Sequence, residues 1–430
     1  MNKRIVLLVW FVGFTLFIGA CASRTPQVTR QPEVPLVSRN SIPMPPPLTV
    51  MTAIKMVHKP GYDEVWNYGN AIALGQGVVA VGAPDSLYQP GKQDGSVFIY
   101  KQEGVEWVEQ AQLTSSDRQD GFQYDQHFGT ALAMEGDLLF VGAPGADDRL
   151  VGDNTGAVYV FRNAPDGWQE IERLAVDPPL ANANFGSLLA VSGDTLIVGE
   201  TYTSTQVNIF QREVEGWRQQ ARLKIPLAEG FKFSGCTFAL YGDSLAISAQ
   251  YRQGEEDQTR MTSRVFIYEK RETGWEQAYV LSSGWTIALA GSQGRAERLA
   301  VSKGGSQSGF GAGEVTIYER GSSGWEPRAT MTAPDGKAND FFGSSLALDG
   351  DLLLVGASGA SEDSSWDGVA YVFEYYQGRW VDQLRITPPE DGGSGDFFGS
   401  LVAARGSTLL VSAPNEFGNA VYVYDIGVRP

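Results

Sequence analysis

Short runs of β-branched and aromatic residues, each closed by an aromatic, recur along the whole chain at 97–100, 158–161, 207–210, 265–268, 315–318, 370–373 and 421–424. Seven copies at a spacing on the order of 50 residues are the mark of one supersecondary unit repeated. Each of the first six is followed, seven positions after its aromatic, by a tryptophan: Trp107, Trp168, Trp217, Trp275, Trp325 and Trp380. Glycine stands directly before four of them, at Gly167, Gly216, Gly274 and Gly324. Strand, Gly-containing turn, strand predicts a hairpin of one geometry throughout, its tryptophan packed between repeats. A second strand pair precedes each hairpin. In the clearest copy Phe128-Gly129 opens a run over 130–134, Gly136-Asp137 turns it, and 138–141 leads into Gly142-Ala143-Pro144. The same turn returns at Gly193-Asp194, Gly242-Asp243 and Gly350-Asp351.

Each unit is thus four antiparallel strands, A to D, and the fold class expected is all-β: a seven-bladed β-propeller. The seventh unit starts at Phe398-Gly399 and reaches Tyr424, but the sequence stops before a seventh strand D. A lone strand-like run at 48–56 precedes the first strand A. It is expected to serve as strand D of the last blade, closing the ring and removing two exposed edges.

Phe-Gly followed by Val-Gly-Ala-Pro resembles the FG-GAP repeat family, whose repeats also build the seven-bladed propeller of integrin α subunits. Phe128-Gly129 with 141–144 matches best. Tyr68-Gly69 with 81–84, Phe342-Gly343 with 355–358 and Phe398-Gly399 with 411–414 are close, and Phe185-Gly186 with 198–200 is partial. The fourth and fifth units keep the strand pattern and lose the motif. The resemblance implies the fold over about 48–424 and says little about activity. Integrin-like repeats often carry a calcium loop between strands A and B. Here that connection is Gly136-Asp137 or its equivalent, too short to supply six to eight oxygens. No metal and no cofactor is expected.

Met1-Asn2-Lys3-Arg4 followed by an apolar run from Ile5 to Ala20 predicts a secretory signal over 1–20. Ile18-Gly19-Ala20-Cys21 resembles the bacterial lipobox, which implies a diacylated Cys21 and anchorage in the cell envelope. Ala22 in the following position implies the outer membrane in a Gram-negative host. Residues 21–47, rich in proline, read as a tether, and 48–430 as the propeller. With Cys21 lipidated, Cys236 has no disulfide partner and reads as an inert thiol.

Composition adds exclusions. A net charge of −17 disfavours a nucleic-acid backbone binder. Two histidines, His58 and His127, leave no multi-histidine metal site, and no nucleophile elbow or phosphate loop is present. No catalytic residue is assigned. The informative asymmetry is in the connections: A–B and C–D turns are short, whereas B–C and D–A loops, on the opposite face, are long, variable and acidic. Tyr62, Trp66, Tyr88, Tyr124, Tyr202, Tyr251, Trp366 and Phe417 map to that face. Tyr88, Tyr124 and Trp366, with Asp147 and Asp148, are the candidate binding residues, for a basic protein or a polysaccharide. The expectation is a monomeric, non-catalytic binding module on a lipid anchor. The competing readings are a propeller enzyme acting on glycans and a scaffold for outer-membrane assembly.

Overall fold

Strand A of every blade lies innermost and strand D outermost, in seven four-stranded antiparallel sheets. The computed structural model describes residues 45–427, apart from 57–66, 86, 90–91, 118–125, 149, 201–204, 228, 254–259, 304–310, 362–365, 390–394, 396 and 415–418. Residues 1–20, read as a signal sequence, and Cys21, Tyr62, Trp66, Tyr124, Tyr202 and Phe417 therefore fall outside the described residues. Blade two shows the pattern, with strands Ala131–Glu135, Leu138–Ala143, Ala157–Ala164 and Gly167–Leu174. Its strand B is buried along its whole length, while strand D alternates exposed and half-buried positions, as an outer strand must.

The N-terminal strand Val50–Met56 pairs antiparallel with Ala420–Ile426 and completes blade seven, as the sequence predicts. Just ahead of that strand, Pro45 and Leu48 are buried, and the Leu48 N–H donates to Gln383 Oε1 at 3.2 Å. Tyr251, mapped from the sequence to the long-loop face, lies instead within a strand. In blade four strand B runs Ser244–Gln253 and strand C Arg260–Arg271, so Tyr251 is a core residue, 1% exposed, with its hydroxyl donating to the Pro226 carbonyl.

Seven apolar clusters hold the described body together, one at each junction between neighbouring blades. Each repeated tryptophan packs against the preceding blade. Trp217 of blade three meets Phe140 of blade two edge to face at 5.1 Å, and Trp325 of blade five lies with Val265 and Tyr279 of blade four. In six blades strand D carries a one-residue bulge just before the aromatic of strand C, which adds the twist a propeller blade needs.

The two halves of the Phe-Gly…Gly-Ala-Pro motif meet across blades. Phe185 N–H, opening blade three, donates to Thr155 O of blade two at 3.3 Å, and Gly156 and Phe185 form a parallel bridge. Gly95 with Phe128 and Gly368 with Phe398 repeat it. A Cβ on Gly142 would sit 1.9 Å from the carbonyl oxygen of Gly186, and on Gly356 2.0 Å from that of Gly399. The glycines of one blade exist to admit the backbone of the next.

Blades four and five lack the motif, and their junction is held differently. On the short-turn face Arg320 of blade five reaches Asp243 Oδ2 at 3.0 Å and Glu269 Oε1 at 2.6 Å, both in blade four. Glu269 is also paired with Arg271, and the Ala296 N–H of blade five donates to Asp243. Burial raises the Asp243 carboxyl, but hydrogen bonds from Ser244, Arg320 and the Ala296 N–H outweigh it and hold the group below its ordinary value. Cys236, half-buried in strand A of blade four, has its thiol pushed up to about 12 by burial, which makes it a poor nucleophile.

Candidate functional site

Every A–B and C–D connection is two or three residues long, so one face of the ring is a lawn of tight turns. The opposite face carries the B–C and D–A loops. Blade two shows how those loops are fixed to the frame. The Tyr159 hydroxyl on strand C donates to Asp117 in the incoming loop at 2.8 Å, and Arg173 on strand D reaches the same carboxylate at 3.2 Å. Blade six repeats the set with Tyr371 and Arg385 on Asp335, at 2.6 and 2.9 Å. Burial would raise Asp335, but the Tyr371 hydrogen bond and the Arg385 charge hold it below its ordinary value.

The residue ahead of each Phe-Gly or Tyr-Gly pair has a left-handed backbone: Asn67 (φ 56°), His127 (φ 53°), Asn184 (φ 51°), Phe341 (φ 57°) and Phe397 (φ 50°). Asparagine adopts that conformation readily, whereas a bulky residue pays about 1–2 kcal/mol for it. The first three are polar. Asp85, just after the Gly-Ala-Pro of blade one, accepts from Asn67 and pairs with His127 Nδ1 at 2.8 Å, joining blades one and two. Burial would raise Asp85, but His127 and Asn67 draw it below its ordinary value. His127 is therefore a junction residue.

Blades six and seven replace this polar arrangement by aromatics. Trp366, also left-handed at φ 59°, lies between Phe341 at 5.7 Å and Phe397 at 6.1 Å between ring centroids, and accepts the Phe397 N–H on its carbonyl. All three side chains are half-buried. Gly359 leaves the space, since a Cβ there would lie 2.6 Å from the Phe341 ring. Sequence singles out Trp366 but not Phe341 or Phe397, although Phe341-Phe342-Gly343 and Phe397-Phe398-Gly399 are visible as doubled aromatics.

The other candidates are dispersed. Tyr88 lies in a small hairpin, Leu87–Gln89 with Lys92–Gln93, that decorates the B–C loop of blade one. Tyr124 lies outside the described residues. Asp147 and Asp148 share one loop, and both carboxylates turn onto it. Asp148 Oδ1 accepts the Leu150 N–H at 2.8 Å and the Val151 N–H at 3.1 Å, and Asp147 Oδ1 accepts the Asn154 N–H at 2.7 Å. They shape the loop. Among the described residues no group of three or more His, Cys, Asp and Glu is placed to hold a metal ion.

A closed ring of seven four-stranded blades with bare turns on one face and structured loops on the other defines a β-propeller of the kind that presents a surface. The FG-GAP repeat family model matches residues 107–161, 325–373 and 380–424. Each matched stretch runs from the strand-D tryptophan of one blade to the strand-C aromatic of the next, so the sequence repeat is offset by one strand from the blade. No curated protein matches the chain. Among solved structures, a chain of the mitotic checkpoint complex is similar at a TM-score of 0.53 and 13% identity, over 91% of this chain and 100% of that one. Two crystal structures of Sqt1 from Chaetomium thermophilum give TM-scores of 0.46 and 0.45 at 13% and 12% identity. They cover 86% and 82% of this chain and 84% and 81% of theirs. At such identity the likeness concerns the fold alone.

Proposed function

We propose that this protein is a non-catalytic binding module, held at the bacterial envelope by lipid on Cys21, that captures a protein or glycan partner on its long-loop face. The observation that carries the reading is the aromatic ledge of Phe341, Trp366 and Phe397. Three bulky residues accept a backbone conformation that costs each of them about 1–2 kcal/mol, where blades one to three use polar residues. Strain kept at one patch of a loop-bearing face fits recognition better than scaffolding. The Ile18-Gly19-Ala20-Cys21 sequence supports the anchor, and the acid of the loops favours a basic or sugar-rich partner.

The test has two arms. Cys21→Ser should release a folded, water-soluble protein from membranes, and continued membrane integration would remove the anchor from the reading. Phe341→Ala with Trp366→Ala should keep the cooperative unfolding of the parent and lose the partner recovered by crosslinking in cells. Full capture by a folded double variant would place binding elsewhere.

A further inference from the structure

Most described large apolar side chains of this protein are inside. Of those that are exposed, Leu150, Val151, Leu180 and Leu227 lie on the long-loop face, all within the loops of blades two and three. Leu150 is 97% exposed. Such a residue is unremarked at the tip of a floppy loop, but this loop is built. Asp148 caps the Leu150 and Val151 N–H groups, the Gly152 N–H donates to the Asp148 carbonyl at 2.9 Å, and the Gly156 N–H donates to Ala146 at 2.8 Å. The next long loop is laced to it: Asn182 N–H donates to Asp153 O at 2.9 Å and Asn184 N–H to Asn154 O at 3.0 Å. A Cβ on Gly152 would touch Ala181 at 3.4 Å, so Val151 and Leu180 flank the contact between the two loops.

Deepening the reading of the long-loop face, on which it rests, we infer that Leu150, Val151 and Leu180 form a preorganised apolar knuckle that docks into an apolar cleft of a protein partner with a basic rim. Preorganisation matters because the ordering cost of binding is already met in the free protein. Charge selects the occupant. The two loops that carry the knuckle hold Asp147, Asp148, Asp153 and Asp177 in sequence, against Arg149 alone. An anionic lipid surface would be repelled. A second copy would bring the same acidic patch and a net charge of −17. A protein cleft rimmed by Lys and Arg meets both halves of the surface.

The experiment uses the full-length, lipidated protein in cells with a photocrosslinking amino acid at position 150, 180, 366 or 214. Val214 is a fully exposed residue on the short-turn face. The expected result is one defined protein captured through 150 and 180 and not through 214. That protein, purified, should bind Leu150→Ser/Leu180→Ser at least about 30-fold more weakly than the parent, the loss typical of a hot spot. Its association with the parent should slow as salt rises. Capture through 366 with unchanged affinity for the double variant overturns the knuckle and leaves the long-loop face standing. Capture at none of 150, 180 and 366 overturns both. Crosslinks to a second copy alone, or flotation of soluble Cys21→Ser protein with phosphatidylethanolamine–phosphatidylglycerol vesicles that Leu150→Ser abolishes, also overturns the protein-cleft assignment.

Discussion

Adding one methyl group at Gly142 tests whether the repeated glycines exist to bring blades together. The new Cβ would lie 1.9 Å from the Gly186 carbonyl oxygen, and both atoms are anchored in strands of different blades. Relief requires the blades to part by roughly an ångström, which overpacking data put at about 1–3 kcal/mol. Parting also stretches the Phe185 N–H bond to Thr155 and the Gly156–Phe185 bridge, and an unsatisfied buried backbone group adds about 1–3 kcal/mol. Gly142→Ala should therefore cost about 2–6 kcal/mol in urea unfolding followed by tryptophan fluorescence. Gly136→Ala is the control. Its φ is 60° and nothing lies within 4 Å of the added carbon, so it should lose only the left-handed penalty of about 1 kcal/mol. A Gly142→Ala cost equal to or below that of Gly136→Ala would refute the close-approach account. Where blades four, five and seven hold Ser248, Ser302 and Ser412 at this place, the hydroxyls hydrogen-bond Gly284, Thr286 and Leu401, so the position tolerates a side chain when the neighbouring backbone can use it.

Arg320→Met should cost about 1.5–3 kcal/mol, because Glu269, 3% exposed, loses one of its two arginine partners and keeps Arg271; a loss under about 1 kcal/mol by urea titration would mean that packing alone holds blades four and five together. Asp85, Asp243 and Asp335 are each held below the ordinary carboxyl value of 3.8, so their contribution is complete above it and is lost as pH falls through the lower native values. Melting temperature should accordingly be level near neutrality and fall below about pH 4, and a midpoint that rises on acidification would contradict the sign. Removing residues 22–43 should leave stability unchanged. Removing 22–56 should destabilise strongly, because it takes the strand Val50–Met56 and leaves the edge of Ala420–Ile426 unpaired. Equal midpoints for the two truncations would contradict closure by the N-terminal strand.

The repeat architecture is legible in the sequence because propeller blades are locally encoded. Alternation writes each strand, Gly-Asp and Gly-Trp write the turns, and the missing seventh strand D points to the lone run at 48–56. The sequence says least where local pattern runs out. Tyr251 reads as a loop residue because Arg252, Gln253 and the polar stretch after them give no apolar alternation, yet strand B continues to Gln253 by pairing with Arg260. Asp147 and Asp148 read as an acidic loop, and nothing in their spacing says that the carboxylates fold back onto backbone N–H groups.

The site is less legible than the fold for a related reason. A blade repeats, so most residues that serve the frame recur at their register, and a departure from it marks where one blade differs from the others. Phe341 and Phe397 stand where Asn67, His127 and Asn184 stand in other blades, and Trp366 stands two residues before Gly368 as Asn154 does before Gly156. The left-handed backbone is common to all of them. Only the side chains change, from groups that suit the conformation to groups that resist it. Aromaticity alone could not separate Trp366 from the six framework tryptophans, which are equally conspicuous in the sequence and pack between blades. Register separates them: a framework tryptophan follows its strand-C aromatic at constant distance, and Trp366 precedes one. Departure from the repeat, measured against the backbone each position must adopt, is the signal that sets Phe341, Trp366 and Phe397 apart on the long-loop face.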